Sequence, residues 1–362
     1  MRLVTFERAG PGGAEAARRS RSRRRADALG ETVLGFESLA SLRPGLPRLG
    51  ALLPGGEHAG CVVDLGRALA VKLAGEDAGA PEAEAASLVP PDVLCFLRRL
   101  PESAAAAREA LEFAAAALER YDAPDLLRAG VVATRESVRL LAPVPRPGKI
   151  LGVARNYAAH GRERGQGALP EEPVLFLKAP SAVIGPEQEI VLPEVSRCVD
   201  YEGELAVVIG TPAHCVQRDA ALAHVAGYCV ANDVTARDFQ NERGQHFVGK
   251  SCDTFAPLGP VLVTADEIPS PQDLALRTTL SGELVQSART KEMLFSVAEI
   301  VAFASALMLL EPGDVILTGT PAGVGAAQTP PRWLRDGDVV EVEIERIGRL
   351  RSHVRGARQT GV

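Results

Sequence analysis

A chain of 362 residues with 46% hydrophobic and 24% charged residues has the composition of a globular protein, large enough for one large or two ordinary domains. Its formal net charge of -6 argues against a general nucleic-acid binder. No apolar run approaches the roughly 20 residues that span a bilayer. The six cysteines (Cys61, Cys95, Cys198, Cys215, Cys229, Cys252) include no CxxC pair, which predicts reduced thiols and a cytoplasmic location.

Residues 2–6 read as a first strand, and the N-terminus has no signal-peptide h-region. Residues 9–46 follow, with six arginines among residues 18–25. Such a run is either a nucleic-acid or targeting arm or a solvated, poorly ordered insertion. Its place after a strand, with no apolar segment following, favours the insertion. Apolar runs at 49–53 and 60–65 flank Pro54-Gly55-Gly56 and predict a hairpin. Residues 102–121 are rich in Ala, Glu, Leu and Arg and predict a helix, with Pro101 before it and Pro124 just beyond. The proline-punctuated stretch 141–148 reads as a linker. It divides the chain into a small α+β accessory domain, 1–142, and a second domain, 143–362.

Chemistry-bearing residues concentrate after the linker. A strand at 149–153 runs into Asn156-Tyr157-Ala158-Ala159-His160-Gly161-Arg162-Glu163. In a helical turn His160 and Glu163 are i, i+3 neighbours. A carboxylate beside an imidazole fixes its tautomer and raises its basicity, as a general base requires; the same pair could also be a surface contact on a loop. Gly161 and Gly165 weaken a helix and suit a segment that closes over a ligand. Strands are expected at 173–178 and 189–193.

The stretch from Val199 to Gly210 begins with acids and ends in the β-former run 206–209, dense enough for a buried strand. Glu202 and Glu204 project to one face, roughly 7 Å apart at Cα. Either both face water at a strand end, or a divalent cation relieves their repulsion. Asp200 shares that face, at the rim. Residues 217–226 read as helix and 228–231 as strand, with Asp233 just past the strand end, where it can reach a site on the sheet rim. The Gly/Pro-rich stretch 249–260 reads as a loop carrying Lys250 in weakly charged surroundings. Residues 280–284 predict a hairpin. A helix over 296–310 has Ser296 as N-cap and Glu299 to complete a capping box. The strand from 315 opens into a glycine-rich loop ending at Gly325. It lacks a GxxxxGK[ST] pattern, so the Thr320 hydroxyl and nearby N–H groups suit a carboxylate better than a phosphate. Residues 339–344 alternate apolar and acidic, as in a half-buried edge strand.

These motifs also occur in one order: Asn156-Tyr157-x-x-His160-x-x-Glu163, Asp200-Tyr201-Glu202-Gly203-Glu204-Leu205, Asn232 to Gln240, Gly249-Lys250-Ser251-x-Asp253, and Thr318 to Gly325. Together they closely resemble the fumarylacetoacetate hydrolase superfamily, from about Pro145 to Ile344. The resemblance implies an α+β, mainly β fold: a mixed β-sandwich roll with flanking helices and a small N-terminal domain, assembled as a homodimer. It implies Glu202, Glu204 and Asp233 as ligands of Mg²⁺ or Mn²⁺, and three carboxylates are indeed a hard oxygen donor set. His160, Glu163 and Lys250 become catalytic residues, and Asn156, Tyr157, Arg237, Gln240 and Thr320 substrate-binding ones. Since three carboxylates and a dication remain net negative, an anionic substrate needs the cations Arg237 and Lys250 nearby.

The implied activity is hydrolysis of a C–C bond in an acylpyruvate-type 2,4-dioxo acid, a reaction of aromatic catabolism. His160 would activate water, and the metal and Lys250 would stabilise a pyruvate enolate. The superfamily also holds oxaloacetate decarboxylases and 2-oxo-enoic acid hydratases and isomerases, which polarise a 2-oxo acid in the same way. A catalytically silent binding protein is the non-enzyme alternative; the intact set of polar residues argues against it. One departure stands out, His246, where many relatives carry Trp.

Overall fold

The computed structural model describes residues 1–8, 46–53, 58–76, 79–165, 167–243 and 245–356. The Arg-rich tract and the Pro54-Gly55-Gly56 turn lie outside the described residues. The chain forms two compact units, Met1–Leu141 and Ala142–Val362. No helix among the described residues is long and apolar enough to cross a membrane.

In the first unit, β1 (Arg2–Arg8) pairs antiparallel with β2 (Arg48–Leu52), and β2 with β3 (Val62–Asp64), the expected hairpin. β4 (Val132–Ala133) continues the sheet beyond β3, and β5 (Val138–Leu141) pairs with β1. Asp64 ends β3 and caps α1 (Leu65–Gly75), accepting from Arg67 N at 3.0 Å; this satisfies one of the free N–H groups of the first turn. Two shorter helices, α2 (Pro81–Leu88) and α3 (Val93–Leu97), lead to α4 (Glu102–Arg120). Ala106, Ala107, Ala110, Ala114 and Ala117 form the buried seam of α4, a 3.6-residue pattern of small side chains that lets α4 pack closely on α1. A last α-helix, α5 (Ala123–Arg128), precedes β4 and β5 in the chain.

Strand outweighs helix in the second unit. Its first sheet contains β6 (Ile150–Ala154), β7 (Val174–Lys178), β11 (Gly203–Ile209), β12 (Val225–Asn232), β14 (Ala256–Thr264) and β17 (Val315–Leu317); β8 (Val183–Ile184) pairs parallel with β14. The strand order is β14-β12-β11-β17-β6-β7. The second sheet runs β16 (Glu283–Arg289), β15 (Ala275–Leu280), β18 (Val339–Ile344), β19 (Gly348–Arg355), β9 (Glu189–Val191). β10 (Val199–Asp200) and β13 (Thr235–Ala236) make a small ribbon. The helices of this unit are α6 (Ala158–Glu163), α7 (Arg218–Ala221), α8 (Arg237–Arg243), α9 (His246–Lys250) and α10 (Val297–Leu307). Ser296 caps α10 within the expected capping box with Glu299.

Three expectations about the elements differ from the structure. β18 is not an edge strand: it lies between β15 and β19. Its alternation reports one buried face, not a free edge. The helical stretch from 217 ends at His224, and Val225 already belongs to β12. The stretch 249–260 is not one loop: Lys250 ends α9, and β14 begins at Ala256. Pro257 and Pro260 argue against a strand from sequence alone, but Pro260 sits where the register with β12 shifts, a place where a sheet tolerates proline, and Pro257 lies where β14 pairs with the short β8.

Candidate active site

The β11/β12 ladder builds the floor of the site. Gly203 pairs with Asn232. One step further, Asp233 N donates to Glu202 O at 2.8 Å, and Asn232 Oδ1 accepts from Glu202 N at 2.9 Å. The antiparallel register thus brings Asp233 beside Glu202, while the two-residue period puts Glu204 beside it as well. Oxygen atoms of Glu202, Glu204 and Asp233 lie within 4.8 Å of one another, and all three residues are buried. Gly203, between the glutamates, faces the second sheet. A Cβ there would stand 2.2 Å from Thr278 Oγ1, so only glycine lets the two sheets approach. Gln286 Oε1 accepts from Gly203 N at 3.0 Å across the gap.

Buried cations surround the acids. Lys250 Nζ donates to Glu202 Oε2 at 2.7 Å and to Asp233 Oδ2. Lys178 Nζ donates to Asp233 Oδ1 at 2.6 Å. Arg237 Nη2 stands 2.6 Å from Glu202 Oε1 and 2.9 Å from Asp200 Oδ2 as ion pairs, and its Nε donates to Asp200 Oδ2 at 2.9 Å. The surroundings of Lys250 are therefore strongly charged, contrary to the sequence reading. Asp200 is not at the rim either. It is fully buried and accepts from Gly325 N and Ala326 N at 2.8 and 3.1 Å, so it ties Arg237 to the glycine-rich loop.

The electrostatics separate the two glutamates. Burial alone would raise the Glu202 pKa, but Lys250 and then Arg237 outweigh it and hold it well below the usual carboxylate range. Burial, then the charges of Asp233 and Glu202, push Glu204 well above that range. Glu204 accepts from Gly319 N at 2.6 Å; it is the carboxylate most in need of positive charge. Burial also lowers the Lys178 pKa, against the pull of Asp233, whereas Asp233 and Glu202 keep Lys250 above its ordinary value despite burial.

α6 carries the predicted base. His160 Nδ1 lies 2.9 Å from Glu163 Oε1, and Glu163 Oε2 accepts from Gly323 N at 2.8 Å. Glu163 thus joins α6 to the glycine-rich loop. Gly323 adopts φ +107°, where a Cβ would meet Val285 O at 1.9 Å. His160, Glu202, Glu204, Asp233, Arg237, Gln240, Lys250 and Thr320 line a single cavity of about 290 Å³, together with Arg155, Phe176 and His246.

The other predicted residues occupy different places. Asn156 is fully buried and does not line the cavity. Its amide donates to Phe295 O and Thr318 O at 3.0 and 2.7 Å and accepts from Phe295 N at 2.8 Å, so it clamps main chain. Tyr157 is buried, and its hydroxyl has no hydrogen-bond partner among the described residues. Burial and then Glu204 raise its pKa. Thr320 lines the cavity, but its hydroxyl donates to Gly203 O at 3.0 Å and accepts from Gln286 Nε2 at 2.8 Å. Gln240 accepts from Arg237 Nη1 at 3.0 Å. Sequence reasoning missed Lys178, Gln286 and the central place of Asp200. Phe176 and Lys178 stand two apart at the end of β7, the same spacing that revealed Glu202 and Glu204, and that was the available signal.

The donor set fits a hard dication. Three buried carboxylates converge, Glu204 forms no ion pair among the described residues and is only partly offset by Lys250, and the Tyr157 hydroxyl, without a hydrogen-bond partner among those residues, lies in its field. Such a set of carboxylate oxygens could hold a divalent cation.

A family model described as fumarylacetoacetate (FAA) hydrolase C-terminal matches residues 149–355. The mitochondrial oxaloacetate tautomerase FAHD2B of Bos taurus is 48% identical over 219 residues, 60% of this chain and 69% of that protein. Fumarylacetoacetate hydrolase from psychrophilic Exiguobacterium antarcticum is similar in structure, with a TM-score of 0.65 at 37% identity, covering 86% of this chain and 96% of that one. The 2-hydroxyhepta-2,4-diene-1,7-dioate isomerase from Mycobacterium marinum has a TM-score of 0.56 at 42% identity, over 64% of this chain and 82% of that one.

Proposed function

This chain belongs to the fumarylacetoacetate hydrolase family, and on that premise we propose that it is a Mg²⁺- or Mn²⁺-dependent enzyme of keto–enol proton transfer in a small 2-oxo acid of the oxaloacetate kind. The observation that carries this reading is the convergence of the carboxylate triad and the His160–Glu163 pair on one small cavity. Its volume, about 290 Å³, lies at the low end for small-molecule sites and suits a short acid. The tautomerase name of the bovine relative and the isomerase name of the mycobacterial one support proton transfer over hydrolysis.

Glu202, Glu204 and Asp233 would hold the metal. Bound there, a dication supplies Lewis-acid polarisation of the 2-oxo group and offsets charge developing on its oxygen. The chain's own residues do the rest. Glu163 Oε1 accepts the Nδ1–H of His160 and so leaves Nε2 with a lone pair. In the keto-to-enol direction His160 Nε2 takes a proton from C3. The electron pair of that C–H bond becomes the C2–C3 double bond, and the proton now on Nε2 is passed to the carbonyl oxygen, which becomes the enol hydroxyl and leaves His160 neutral again. The reverse direction uses the same groups. Lys250 and Arg237 keep Glu202 ionised, and Lys178 holds Asp233 in place from behind.

A second reading is favoured by the same pair, because a histidine oriented by a carboxylate can equally deprotonate water. That gives C–C hydrolysis of an acylpyruvate, with Lys250 beside the departing enolate. Two assays separate them in the presence of Mg²⁺: decay of the enol absorbance of oxaloacetate, and loss of absorbance of an acylpyruvate with release of pyruvate. Accelerated enol decay without acylpyruvate cleavage supports the first reading. Cleavage without accelerated decay supports the second, and neither activity refutes both. The homodimer implied by the sequence resemblance is also proposed, and light scattering at the mass of one 38.1 kDa chain would refute it.

A further inference from the structure

His246 lines the cavity, on the first residue of α9. Its ring stacks on Phe176, with centroids 5.1 Å apart and planes 17° from parallel. Its Nδ1 lies 2.9 Å from Gln240 Nε2. The direction of that hydrogen bond is set from the far end of the glutamine. Arg237 has only donors, and its Nη1 donates to Gln240 Oε1. Gln240 therefore turns its NH₂ to His246, Nδ1 accepts, and the proton of the neutral imidazole sits on Nε2. Burial, then Lys250, lowers the His246 pKa, which keeps the ring neutral.

The buried cations of the site are already committed. Arg237 faces Asp200 and Glu202, Lys250 faces Glu202 and Asp233, and Lys178 faces Asp233. His246 makes no hydrogen bond to the triad; Gln240 and Arg237 stand between it and Glu202. It offers a neutral, oriented N–H on the wall of the same cavity. We infer that His246 is a specificity-determining residue, whose Nε2–H donates to the distal carboxylate of a 2-oxo dicarboxylate anchored by its 2-oxo end at the triad. The inference rests on the 2-oxo acid reading for the anchored end, but not on which reaction follows.

The test is calorimetric binding, to the full chain with Mg²⁺, of oxaloacetate and of 2-oxobutyrate, which carries a methyl group in place of the second carboxylate. His246→Phe keeps a ring for the stack on Phe176 and removes the donor. His246→Gln places an amide N–H near the position of Nε2. The wild type is expected to prefer oxaloacetate, and His246→Phe to weaken oxaloacetate by about 10- to 100-fold. Binding of 2-oxobutyrate should stay within about twofold, which also reports an intact site, and His246→Gln should restore most of the loss. A wild type without preference for the diacid would overturn the inference. So would a His246→Phe variant that binds oxaloacetate unchanged, or that weakens both acids equally. A wild type that prefers oxaloacetate in binding but does not interconvert its tautomers would refute the proposed reaction and leave the role of His246 standing.

Discussion

The two oxygens of Glu163 serve two donors, and that makes Glu163→Gln a sharp perturbation. Oε1 faces His160 Nδ1 at 2.9 Å, and Oε2 accepts from Gly323 N at 2.8 Å. A carboxylate satisfies both N–H groups, whereas an amide has one acceptor oxygen. If that oxygen stays on Gly323, the NH₂ faces Nδ1. Nδ1 must then lose its proton to Nε2, the atom that has to act as the base. If the oxygen turns to His160, the Gly323 N–H loses its partner and α6 loses its tie to the glycine-rich loop. The side chains of His160 and Glu163 are only 8% and 21% exposed, so water compensates little. A hydrogen bond to a charged group is worth about 1.5–3 kcal/mol, and 1.36 kcal/mol is tenfold in rate. The expected fall in kcat is therefore about 10- to 150-fold. The assay is enol decay of oxaloacetate at saturating Mg²⁺, run for wild type, His160→Ala, Glu163→Gln and the double variant. Since Glu163 acts through His160, the double variant should be no slower than His160→Ala. A Glu163→Gln rate within about threefold of wild type, or losses that simply multiply in the double variant, would refute the reasoning.

Glu204→Gln keeps the volume of a carboxylate crowded by Asp233 and Glu202 but removes its charge. Mg²⁺ affinity should fall at least about 100-fold, while the melting temperature in chelator holds or rises; an unchanged Mg²⁺ titration would contradict the ligand assignment. Lys178→Met leaves Asp233 with Lys250 alone, and denaturant unfolding should show a loss near the lower end of the roughly 3–5 kcal/mol for breaking a buried pair; an unshifted midpoint would disprove it. Gly323→Ala forces a Cβ onto Val285 O at φ +107°, with a left-handed penalty of about 1–2 kcal/mol before any clash. It should lower thermal stability and depress kcat at least as far as Glu163→Gln does, and wild-type behaviour on both would count against the Glu163–Gly323 tie. Burial pushes the Cys229 thiol up to about 12, so thiolate is only a trace form near neutral pH in the folded chain. A thiol reagent at pH 8 should label exposed Cys215 and reach Cys229 only in denaturant; native labelling of Cys229 would refute this.

How far the site could be read from sequence depended on whether each pairing is local. Glu202 and Glu204 were legible because the strand period alone puts them on one face. His160 and Glu163 were legible through the i, i+3 spacing of a helical turn that α6 does form. Asp233 was placed at a strand end, but its partnership with Glu202 depends on Gly203 pairing with Asn232, a register that no local pattern encodes. Lys178 closes an apolar strand 55 residues before Asp233, and a lone lysine there reads as a strand end reaching solvent. Asp200 was misplaced for a related reason. Its position beside β11 suggests the rim, whereas its burial comes from Arg237 and the 325–326 main chain folding over it.

The glycine of Glu202-Gly203-Glu204 shows most clearly what the fold adds. The sequence reading concerned only the two acids, yet Gly203 lets Thr278, Gln286 and Val342 of the second sheet approach within contact of the ladder. That approach brings Gln286 to Gly203 N and to Thr320 Oγ1, which occupies the threonine hydroxyl that the sequence reading assigned to substrate. A substrate carboxylate must then find its donors elsewhere on the cavity wall, and of the neutral side chains there His246 holds its N–H by way of Gln240. The carboxylate triad follows from one strand and its neighbour, but the recognition of the rest of the substrate follows from how the two sheets close on each other, and that is why the acids could be named from the sequence before the residue proposed to read the tail.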